Sequence, residues 1–529
     1  MGKKQGKDYA KLVFYSLLEG GDDAEAIAYL DDNRTLYSIS NAEYCSAVYC
    51  IASRIKKNTQ EAPLGSWVAL CHENHHLWHA VFFALLKCGY NVLFIDPEFD
   101  DKHIEQCMKA SGTYIIVSDR IIDSSDILTI NYDDMTNNPF GAEESDCLDD
   151  QRPWGQLLAY CTSGTTGDMS KFPVHSMDKV HESIDVCAST LLNNVTFRKA
   201  VGAEFKDSLI LLTLPLNHNY GFEFYPTFRR MGFRVCFFNT RSVLDTIAAV
   251  KEQNVSLLPS VPLVWKTMLQ ILMSRYKKAN KDAFQSLFGI DFRMGFSTGS
   301  TITDAMRRTY ANMGFTICNA YGASETPYAY IGIDPMRDCF NIDMSSFIKC
   351  VRLSNGALSE KGIGELLFKD GAAFVGYLTK DGITPPSTDK DGFIATGDYF
   401  ELSNEGARYL GRRKNMIACQ NGKNIYPEEL EANFSFLSNI VKQYRIVGID
   451  NKPVLFLYME ADKQFDNSEL LMKVKKANDG LDIYKKISKL IFSKTMMPSS
   501  AKGVLSNKLL FDYEARPENY VEIILVGRG

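Results

Sequence analysis

Short apolar runs alternate with helix-like stretches over most of this chain, and that alternation is the feature that most constrains the fold. SWVALC (66–71) has the length and composition of a buried strand, a helix-like stretch follows to Leu86, and NVLFIDP (91–97) is the next strand-like run. The same rhythm returns in TYIIVS (113–118), DSLILLT (207–213), FRVCFF (233–238) and VSLLPS (255–260). Strands that alternate with helices are typical of α/β folds with largely parallel sheets. The sequence therefore predicts an α/β architecture.

The pattern changes after about Gly356, where short strand-like runs are broken by Gly, Asp and Asn turns, as in GIGELLFK and FIATGDYFELS. This pattern of short strands and tight turns predicts a small barrel-like subdomain. From Pro427 to the end the pattern is compact α+β. Because 529 residues are too many for one ordinary core, we expect a large N-terminal domain over 1–411 and a small α+β domain over 412–529, joined at GRRKN (411–415).

Composition excludes several classes of function. The formal net charge of −6 gives no basic surface for nucleic acid, and no apolar run approaches the roughly 18 residues that a membrane-spanning helix needs. The N-terminal residues MGKKQGKDYAKL lack the apolar core of a signal peptide. The thirteen cysteines contain no C-x-x-C pair, a pattern typical of reduced thiols. These observations predict a cytoplasmic protein with no nucleic-acid partner and no membrane span.

A loop rich in glycine and hydroxyl groups, CTSGTTG (161–167), follows the apolar run QLLAY. Its glycines let successive N–H groups point into one concavity, its hydroxyls add donors, and a lysine beyond adds a point charge, which together suit a polyphosphate. A Ser/Thr-rich surface turn is the alternative, and the Walker spacing is absent. The candidate phosphate-binding residues are Thr162, Ser163, Gly164, Thr165, Thr166 and Gly167, followed by Lys171.

Further segments follow this loop in a fixed order: NAYGASET (319–326), ATGDYFEL (395–402) and GRRKNMIACQNGKNIYPEELE (411–431). Together with CTSGTTG they resemble the phosphate loop, the Y-G-x-[ST]-E motif, the T-G-D motif and the hinge motif of the adenylate-forming superfamily. That superfamily includes acyl- and aryl-CoA synthetases, nonribosomal-peptide adenylation domains and firefly luciferase. GELLFKDGAAFVGY (364–377) is similar to the family's linking G-E-L segment, and STGST (297–301) more weakly to a segment that lines the adenine and the substrate.

The resemblance implies roles for individual residues. Tyr321 stacks on adenine, Ser324 meets a phosphate oxygen, Glu325 binds Mg²⁺, and Asp398 and Arg412 hold the ribose. Lys414 lies at the hinge position, and the resemblance implies that the small C-terminal domain is mobile. The nucleotide site that the resemblance implies also contains Gly299, Ser300, Asn319, Ala320 and Gly322.

The chemistry that the resemblance implies has two steps. A carboxylic acid attacks the α-phosphate of ATP, giving an acyl-adenylate and pyrophosphate, and a thiol then takes the acyl group. The thiol belongs to CoA or to the phosphopantetheine arm of an acyl carrier protein acting in trans. The expected enzyme is thus an acid–thiol ligase of the acyl-CoA synthetase kind, with ATP and Mg²⁺ as cofactors and a small carboxylic acid as substrate.

The chain departs from the family in two places. Ser170 stands at the usual lysine of the phosphate loop, and Lys171 comes one residue late. In PSSAKGVLSNKLL (498–510), Val504 stands at the family's catalytic lysine. Three interpretations stay open: Lys502 substitutes through a shifted loop, other cations support a slower reaction, or adenylation is lost. The last makes the chain a degenerate adenylate-binding or carrier-docking protein, which is the second hypothesis.

The acid pocket is predicted around LPLNHNYGFEFYPTFRRMGF (214–233). His218 fits the family's gate beside the acyl group, with a role in catalysis, although a packed core histidine is an equal alternative. The neutral Asn219 argues against an ordinary α-amino acid, and Glu223, one helical turn on, could bind a cationic or hydroxylated group; Gly299 completes the predicted pocket. HENHH (72–76) matches the zinc-protease signature H-E-x-x-H, but its place at the start of a helix and the lack of a third ligand disfavour a metal site.

Overall fold

The computed structural model describes the residues 7–59, 62–140, 153–162, 171–202, 205, 208–299, 302–326, 329–334, 337, 339–344, 348–369, 374–418, 424–459, 468–500, 503–504 and 506–525. They form two compact units, each made of several stretches of chain. The first unit comprises 1–298, 307–348 and 369–388, and the second comprises 299–306, 349–368 and 389–529. The predicted domain division at residue 411 stays a prediction.

Helices and strands alternate through the first unit, as an α/β fold requires. The helices of the described residues are α1 Tyr9–Ser16, α2 Asn41–Asn58, α3 Trp78–Lys87, α4 Asp101–Ser111, α5 Tyr132–Thr136, α6 Met177–Asn193, α7 Val195–Val201, α8 Asn219–Arg230, α9 Val243–Glu252, α10 Pro262–Tyr276, α11 Lys281–Phe288, α12 Asp304–Asn312, α13 Pro427–Glu431, α14 Ser468–Asp479 and α15 Ser506–Ala515. No helix in the described part of the chain has both the length and the apolar character to cross a bilayer.

The strands are short, and most of those in the first unit are buried on both faces. They are β1 Glu25–Leu30, β2 Leu36–Ser40, β3 Trp67–Cys71, β4 Asn91–Phe94, β5 Ile115–Ser118, β6 Leu128–Asn131, β7 Leu157–Tyr160, β8 Pro173–Ser176, β9 Leu209–Leu212, β10 Arg234–Phe237, β11 Leu257–Ser260, β12 Met294–Ser297, β13 Thr316–Tyr321, β14 Tyr330–Gly332, β15 Ile342–Asp343, β16 Ile348–Arg352, β17 Leu358–Ser359, β18 Gly362–Lys369, β19 Gly376–Thr379, β20 Gly382–Thr384, β21 Ile394–Ser403, β22 Gly406–Arg412, β23 Ile417–Ala418, β24 Asn424–Ile425, β25 Gln443–Ile449, β26 Lys452–Tyr458, β27 Lys489–Ser493, β28 Ser499–Ser500, β29 Gly503–Val504 and β30 Tyr520–Ile524.

Two large sheets organise the first unit, and the predicted α/β architecture is confirmed. One sheet has the strand order β20-β19-β8-β7-β4-β3-β5-β6 and the other β15-β14-β13-β12-β11-β9-β10-β1-β2. Each of the six apolar runs that the sequence marked as a strand contains one, from β3 to β11, because each is an almost fully buried run that both faces of a sheet can cover.

The carboxyl ends of parallel strands position the candidate site. β3, β4 and β7 pair in parallel, so the loop that begins at Cys161 leaves the same edge as the ends of β3 and β4. β12 and β13 also pair in parallel, and β13 ends at Tyr321. Ligands of open α/β sheets bind outside the carboxyl ends of the strands. Tyr321 and the first residues of the glycine-hydroxyl loop, Cys161 and Thr162, lie at such ends.

The second unit is mainly antiparallel. A five-stranded sheet has the order β17-β16-β18-β21-β22, and a four-stranded sheet has the order β25-β26-β27-β30. β26 and β27 pair in parallel within the latter. The mixed α/β fold with a smaller mixed domain is therefore confirmed, and the strand-and-turn texture after Gly356 corresponds to the five-stranded antiparallel sheet.

Helix α8 carries a carboxyl group into the core of the first unit. The Glu223 side chain has no exposed surface, and its Oε2 accepts a hydrogen bond of 3.0 Å from the hydroxyl of Ser183 on α6. Burial raises the pKa of Glu223 to about 8, and the hydrogen bond from Ser183 offsets only part of the rise. Glu223 is therefore mostly a neutral acid at pH 7.

We expect Glu223→Gln to raise the Tm at pH 8 by about 5 °C and to change it much less at pH 5. The folded chain holds the Glu223 proton up to about pH 8, whereas the unfolded chain releases it near pH 4.5. Because the unfolded state binds fewer protons in this window, the free energy of unfolding falls by about 4 kcal/mol as the pH rises through it. Glutamine keeps an acceptor for Ser183 without titrating.

Calorimetry at the two pH values checks this, with the exposed Glu360→Gln as control. An equal change in Tm at pH 5 and pH 8 would contradict a buried neutral acid.

Candidate active site

The base of the glycine-hydroxyl loop is closed by one residue pair. Thr162 and Lys171 form an antiparallel bridge, and the carbonyl of Lys171 accepts hydrogen bonds from both the backbone N–H (2.9 Å) and the hydroxyl (3.0 Å) of Thr162. The predicted phosphate-binding residues Ser163, Gly164, Thr165, Thr166 and Gly167 lie outside the described residues. Lys171, although one residue late compared with the family, is fixed at the point where the loop rejoins the sheet.

A tyrosine connects Lys171 to the candidate magnesium ligand. The Nζ atom of Lys171 lies 5.6 Å from the centroid of the Tyr377 ring, and the Tyr377 hydroxyl donates a hydrogen bond of 3.1 Å to Oε1 of Glu325. Burial raises the pKa of Tyr377, and the negative charge of Glu325 raises it further. The Tyr377 hydroxyl therefore stays protonated. Within the described residues neither Lys171 nor Glu325 forms an ion pair, and both contact the same tyrosine, Lys171 its ring and Glu325 its hydroxyl.

The segment from Asn319 to Glu325 is held by side chains from three other elements. The hydroxyl of Thr298, just after β12, donates to the carbonyl of Ala320 over 2.8 Å. The amide of Asn219 on α8 donates to the carbonyl of Ala323 over 3.2 Å. The ring Nε2 of the buried His175 on β8 donates to the carbonyl of Ser324 over 2.6 Å.

These bonds fix the backbone of the predicted adenine and phosphate motif. Asn319 pairs with Ser297 of β12, and Tyr321 closes β13 before Gly322. The carbonyls of the turn are thereby occupied by protein donors, which leaves the side chains of Tyr321 and Ser324 as its candidates for ligand contact.

The residues of the predicted acid pocket lie at different depths. His218 is half exposed, with its Nε2 atom 3.9 Å from Oδ2 of Asp96. Asn219 begins α8, and its Oδ1 atom is buried without a hydrogen-bond partner among the described residues. Gly299 adopts a left-handed φ of 84°. Glu223 lies on the same helix but is fully buried and bonded to Ser183, so it has no surface open to a ligand in this structure.

The two predicted ribose residues are neighbours in the second unit. Asp398 on β21 and Arg412 on β22 are strand partners, and Nε of Arg412 lies 3.2 Å from Oδ1 of the buried Asp398. Burial is the main cause that lowers the pKa of Lys414, and the positive charge of Arg412 lowers it further. The negative charge of Asp398 offsets part of this decrease. The arrangement gives a buried carboxylate with two cationic side chains nearby.

The hinge motif is anchored through its glutamates. Gly411 has a φ of 151°, and a Cβ atom there would lie 2.5 Å from Oε2 of Glu428 on α13, which is why only glycine fits. Oε1 of Glu428 accepts hydrogen bonds from Asn415 (2.6 Å) and from Arg445 on β25 (3.0 Å). Arg445 also contacts Glu431, whose pKa burial raises to about 7 against the opposing charge of Arg445. The motif therefore joins the predicted hinge segment to the C-terminal sheet.

The zinc-protease interpretation of HENHH has no structural support among the described residues, where no group of three His, Cys, Asp or Glu is placed to hold a metal. The His72 ring stacks on Tyr132 with centroids 3.6 Å apart, and His75 and His76 lie 4.1 Å apart. Burial lowers the pKa of His75 to about 3 and that of His76 to about 4. His75 and His76 are therefore neutral, and the rings of all three histidines pack against aromatic neighbours.

Three residues that contact the site were missed from the sequence: Thr298, His175 and Tyr377. Thr298 lies within STGST and Tyr377 ends GELLFKDGAAFVGY, so both fell inside segments that resemble the family, but neither spacing nor composition marked them. No signal marked His175 in FPVHS. Ser300 and Lys502 lie outside the described residues. Val504 is described only by its backbone, which pairs with Ser499.

Comparison with known proteins gives the family. Residues 19–378, more than half of the chain, match the family model described as AMP-binding enzyme. A 2-succinylbenzoate–CoA ligase of Listeria monocytogenes is 25% identical over 499 residues, covering 92% of this chain and 95% of that protein. The long-chain-fatty-acid–CoA ligase FadD13 of Mycobacterium tuberculosis is 23% identical over 367 residues, 68% of each chain.

Solved structures share the fold over almost the whole chain. o-Succinylbenzoate CoA synthetase (MenE) of Bacillus subtilis, in complex with its acyl-adenylate intermediate, superposes with a TM-score of 0.74 at 18% identity, covering 95% of this chain and 98% of that one. ATP-bound MatB of Rhodopseudomonas palustris gives a TM-score of 0.74 at 20% identity, covering 96% and 99%. The resemblance read from the motifs is confirmed, and the chain belongs to the AMP-binding enzyme family, that is, to the adenylate-forming superfamily.

Proposed function

We propose that this chain is an ATP-dependent acid–CoA ligase that converts a small carboxylic acid to an acyl-adenylate and then to an acyl-CoA thioester. The observation that carries the proposal is the cluster of Lys171, Tyr377 and Glu325 at the base of a glycine-hydroxyl loop, in a member of the AMP-binding family. Lys171 forms no ion pair with the described residues and suits a phosphate. Glu325, also without an ion pair among those residues, suits Mg²⁺, which is usually held by one or two carboxylates together with phosphates.

In the first step the acid's carboxylate attacks the α-phosphate, the P–O bond to the pyrophosphate breaks, and pyrophosphate leaves with its electron pair. Two anions must meet, so the reaction needs positioning and neutralised phosphate charge. Lys171 supplies one fixed positive charge for the phosphates. Glu325 is the residue that would hold Mg²⁺, which when bound neutralises phosphate charge. Ser324 and the loop hydroxyls are proposed phosphate contacts.

The remaining predicted residues have proposed roles in binding the nucleotide and the acid. Tyr321 is proposed to stack on adenine, and Asp398 with Arg412 to hold the ribose. His218 and Asn219 are the proposed pocket residues, since His218 is half exposed and Asn219 has a buried acceptor without a partner. Glu223 stays a prediction for the pocket, as a neutral acid able to hydrogen-bond a polar substrate group.

In the second step the CoA thiol attacks the acyl carbon of the adenylate and AMP leaves. We favour CoA because the relatives reported above are CoA ligases; a carrier-protein phosphopantetheine arm is the alternative acceptor. The C-terminal domain over 412–529 is proposed to turn about Lys414 between the steps. We place the enzyme in the cytoplasm, because its thirteen cysteines contain no C-x-x-C pair and their spacing is typical of a reducing compartment.

The direct test is pyrophosphate release by the purified protein with ATP and Mg²⁺ across a panel of aryl, fatty, dicarboxylic and amino acids. Hydroxylamine is included to turn over the adenylate, and parallel reactions contain CoA. We expect release with one acid class and a matching acyl-CoA product. ATP binding without release for any acid would favour the degenerate adenylate-binding protein instead.

We expect Asp398→Ala to weaken ATP binding by roughly 30-fold, because a charged hydrogen-bond acceptor is worth about 1.5–3 kcal/mol. Glu401→Ala is the matched control, since Glu401 also lies on β21 and pairs with Arg408 across the same two strands. Isothermal titration calorimetry with ATP measures both variants. Unchanged affinity in Asp398→Ala, or an equal loss in Glu401→Ala, would remove Asp398 from the ribose site.

We expect Lys502→Ala to slow adenylation far more than Lys508→Ala. Valine at position 504 cannot stabilise developing phosphate charge, so the nearest lysine is the candidate replacement, whereas Lys508 is an exposed residue of α15. Pyrophosphate exchange compares the two variants at saturating ATP. Equal rates would show that Lys502 has no part in the first step.

A further inference from the structure

Tyr377 stands between the two charged groups of the candidate phosphate site, and the strand that carries it fixes its place. β19 pairs with β8, with Tyr377 opposite Pro173, and β8 begins two residues after Lys171. The preceding Gly376 has a φ of 151°, and a Cβ there would collide with the carbonyl oxygen of Thr384. The tight β19–β20 hairpin therefore sets the direction from which the Tyr377 ring enters the site.

The ring and the hydroxyl of Tyr377 contact opposite charges. The ring faces the ammonium of Lys171 at 5.6 Å, within the range of a cation–π interaction. The hydroxyl donates to the carboxylate of Glu325 at 3.1 Å. A lysine and a glutamate free to approach would form a direct ion pair, and each would then be less available to a phosphate or a metal. One tyrosine thus gives each charge a neutral partner.

We propose that Tyr377 is a positioning residue that orients the Glu325 carboxylate for Mg²⁺ and the Lys171 ammonium for the nucleotide phosphates while keeping the two from pairing. The proposal rests on the proposed function, since it assumes that Glu325 binds Mg²⁺. Tyr377 itself touches neither the metal nor the phosphates in this assignment and acts through its two neighbours.

The same contacts account for the displaced lysine. In the family pattern the lysine lies inside the loop, whereas Lys171 lies at its base, where its carbonyl is fixed by Thr162. Among the described residues the contact of the Lys171 ammonium is with the Tyr377 ring. The ring thus orients the ammonium from a neighbouring strand, so the position of the ammonium depends on sheet pairing.

The first experiment is nucleotide binding by Tyr377→Phe, measured by isothermal titration calorimetry with and without Mg²⁺. Phenylalanine keeps the ring under Lys171 and removes the hydroxyl from Glu325. We expect ATP affinity without Mg²⁺ to stay within about 2-fold of wild type, because the lysine contact is retained. The Mg²⁺ concentration that gives half of the affinity gain should rise about 10-fold, as expected for a lost hydrogen bond to a charged group.

A double-mutant cycle with Glu325→Gln tests whether Tyr377 acts through Glu325. Glu325→Gln alone should lose most of the Mg²⁺-dependent gain in affinity, and adding Tyr377→Phe should then change the Mg²⁺ dependence by less than about 2-fold. Tyr377→Leu, which also removes the ring, should in addition weaken ATP binding without Mg²⁺. Tyr37→Phe, at an exposed tyrosine of β2, is the matched control.

The outcomes separate the inference from the proposed function. Two results would overturn the positioning role without affecting the proposed adenylation by the wild-type protein. One is an unchanged Mg²⁺ dependence of ATP binding in Tyr377→Phe. The other is a change in that dependence on Tyr377→Phe that is equally large in the wild-type and Glu325→Gln proteins. A wild-type protein that binds ATP but shows no Mg²⁺-dependent gain would instead overturn the metal assignment of Glu325. A loss of ATP binding without Mg²⁺ in Tyr377→Phe, equal to that in Tyr377→Leu, would also overturn the positioning role, because the hydroxyl would then support ATP binding independently of the metal ligand.

Discussion

The antiparallel return of β8 beside β7 is the constraint on which the candidate phosphate site depends. β7 runs parallel to β4 and ends at Tyr160, and β8 comes back along it from Pro173. The connecting loop is therefore closed at its base, where Thr162 bonds to Lys171. Because β19 adds to the free side of β8, it brings Tyr377 to the same place. Three strand pairings, formed by backbone hydrogen bonds alone, thus bring a loop, a cation and an aromatic ring together.

Three carboxyl groups with little exposure, those of Glu223, Glu431 and Asp398, have different surroundings. The surroundings decide how the cost of burying a negative charge is avoided or offset. Glu223 has no cationic partner among the described residues and avoids the cost of a buried charge by staying protonated. Glu431 is buried but shares Arg445 with Glu428, so its charge is partly compensated. Asp398 is buried beside Arg412, whose side chain is half exposed. The Asp398 carboxylate is therefore suited to accept hydrogen bonds. Of these, Asp398 is the residue proposed to accept hydrogen bonds from the ribose hydroxyls.

Much of the fold and part of the site could be predicted from the sequence, for identifiable reasons. Strands such as β4 and β9 are continuous apolar runs because both faces are covered, and such runs are visible without a structure. Asp398 and Arg412 were assigned to one ribose site by resemblance, and the structure shows them as strand partners. His175 and Tyr377 could not be predicted from the sequence. His175 bonds to Ser324, 149 positions along the chain, and Tyr377 bonds to Glu325, 52 positions away. Contacts at such separations depend on strand pairing, which no local sequence pattern encodes. The full burial of Glu223 could not be predicted either. Helical spacing shows which residues share one face of α8, but it does not show which other element packs on that face.

The absence of a lysine at position 504 changes how the remaining charges must be weighed. A family member with that lysine neutralises phosphate charge from its C-terminal domain as well as from its loop, and Val504 can supply none. In the proposed mechanism the positive charge for the first step comes more heavily from Lys171 and from the metal that Glu325 would hold, in addition to any lysine that replaces the missing one. Electrostatic stabilisation depends on donors and charges that are already oriented before the reaction. The positioning role proposed for Tyr377 would therefore matter more in this chain than in a relative with the full set of lysines.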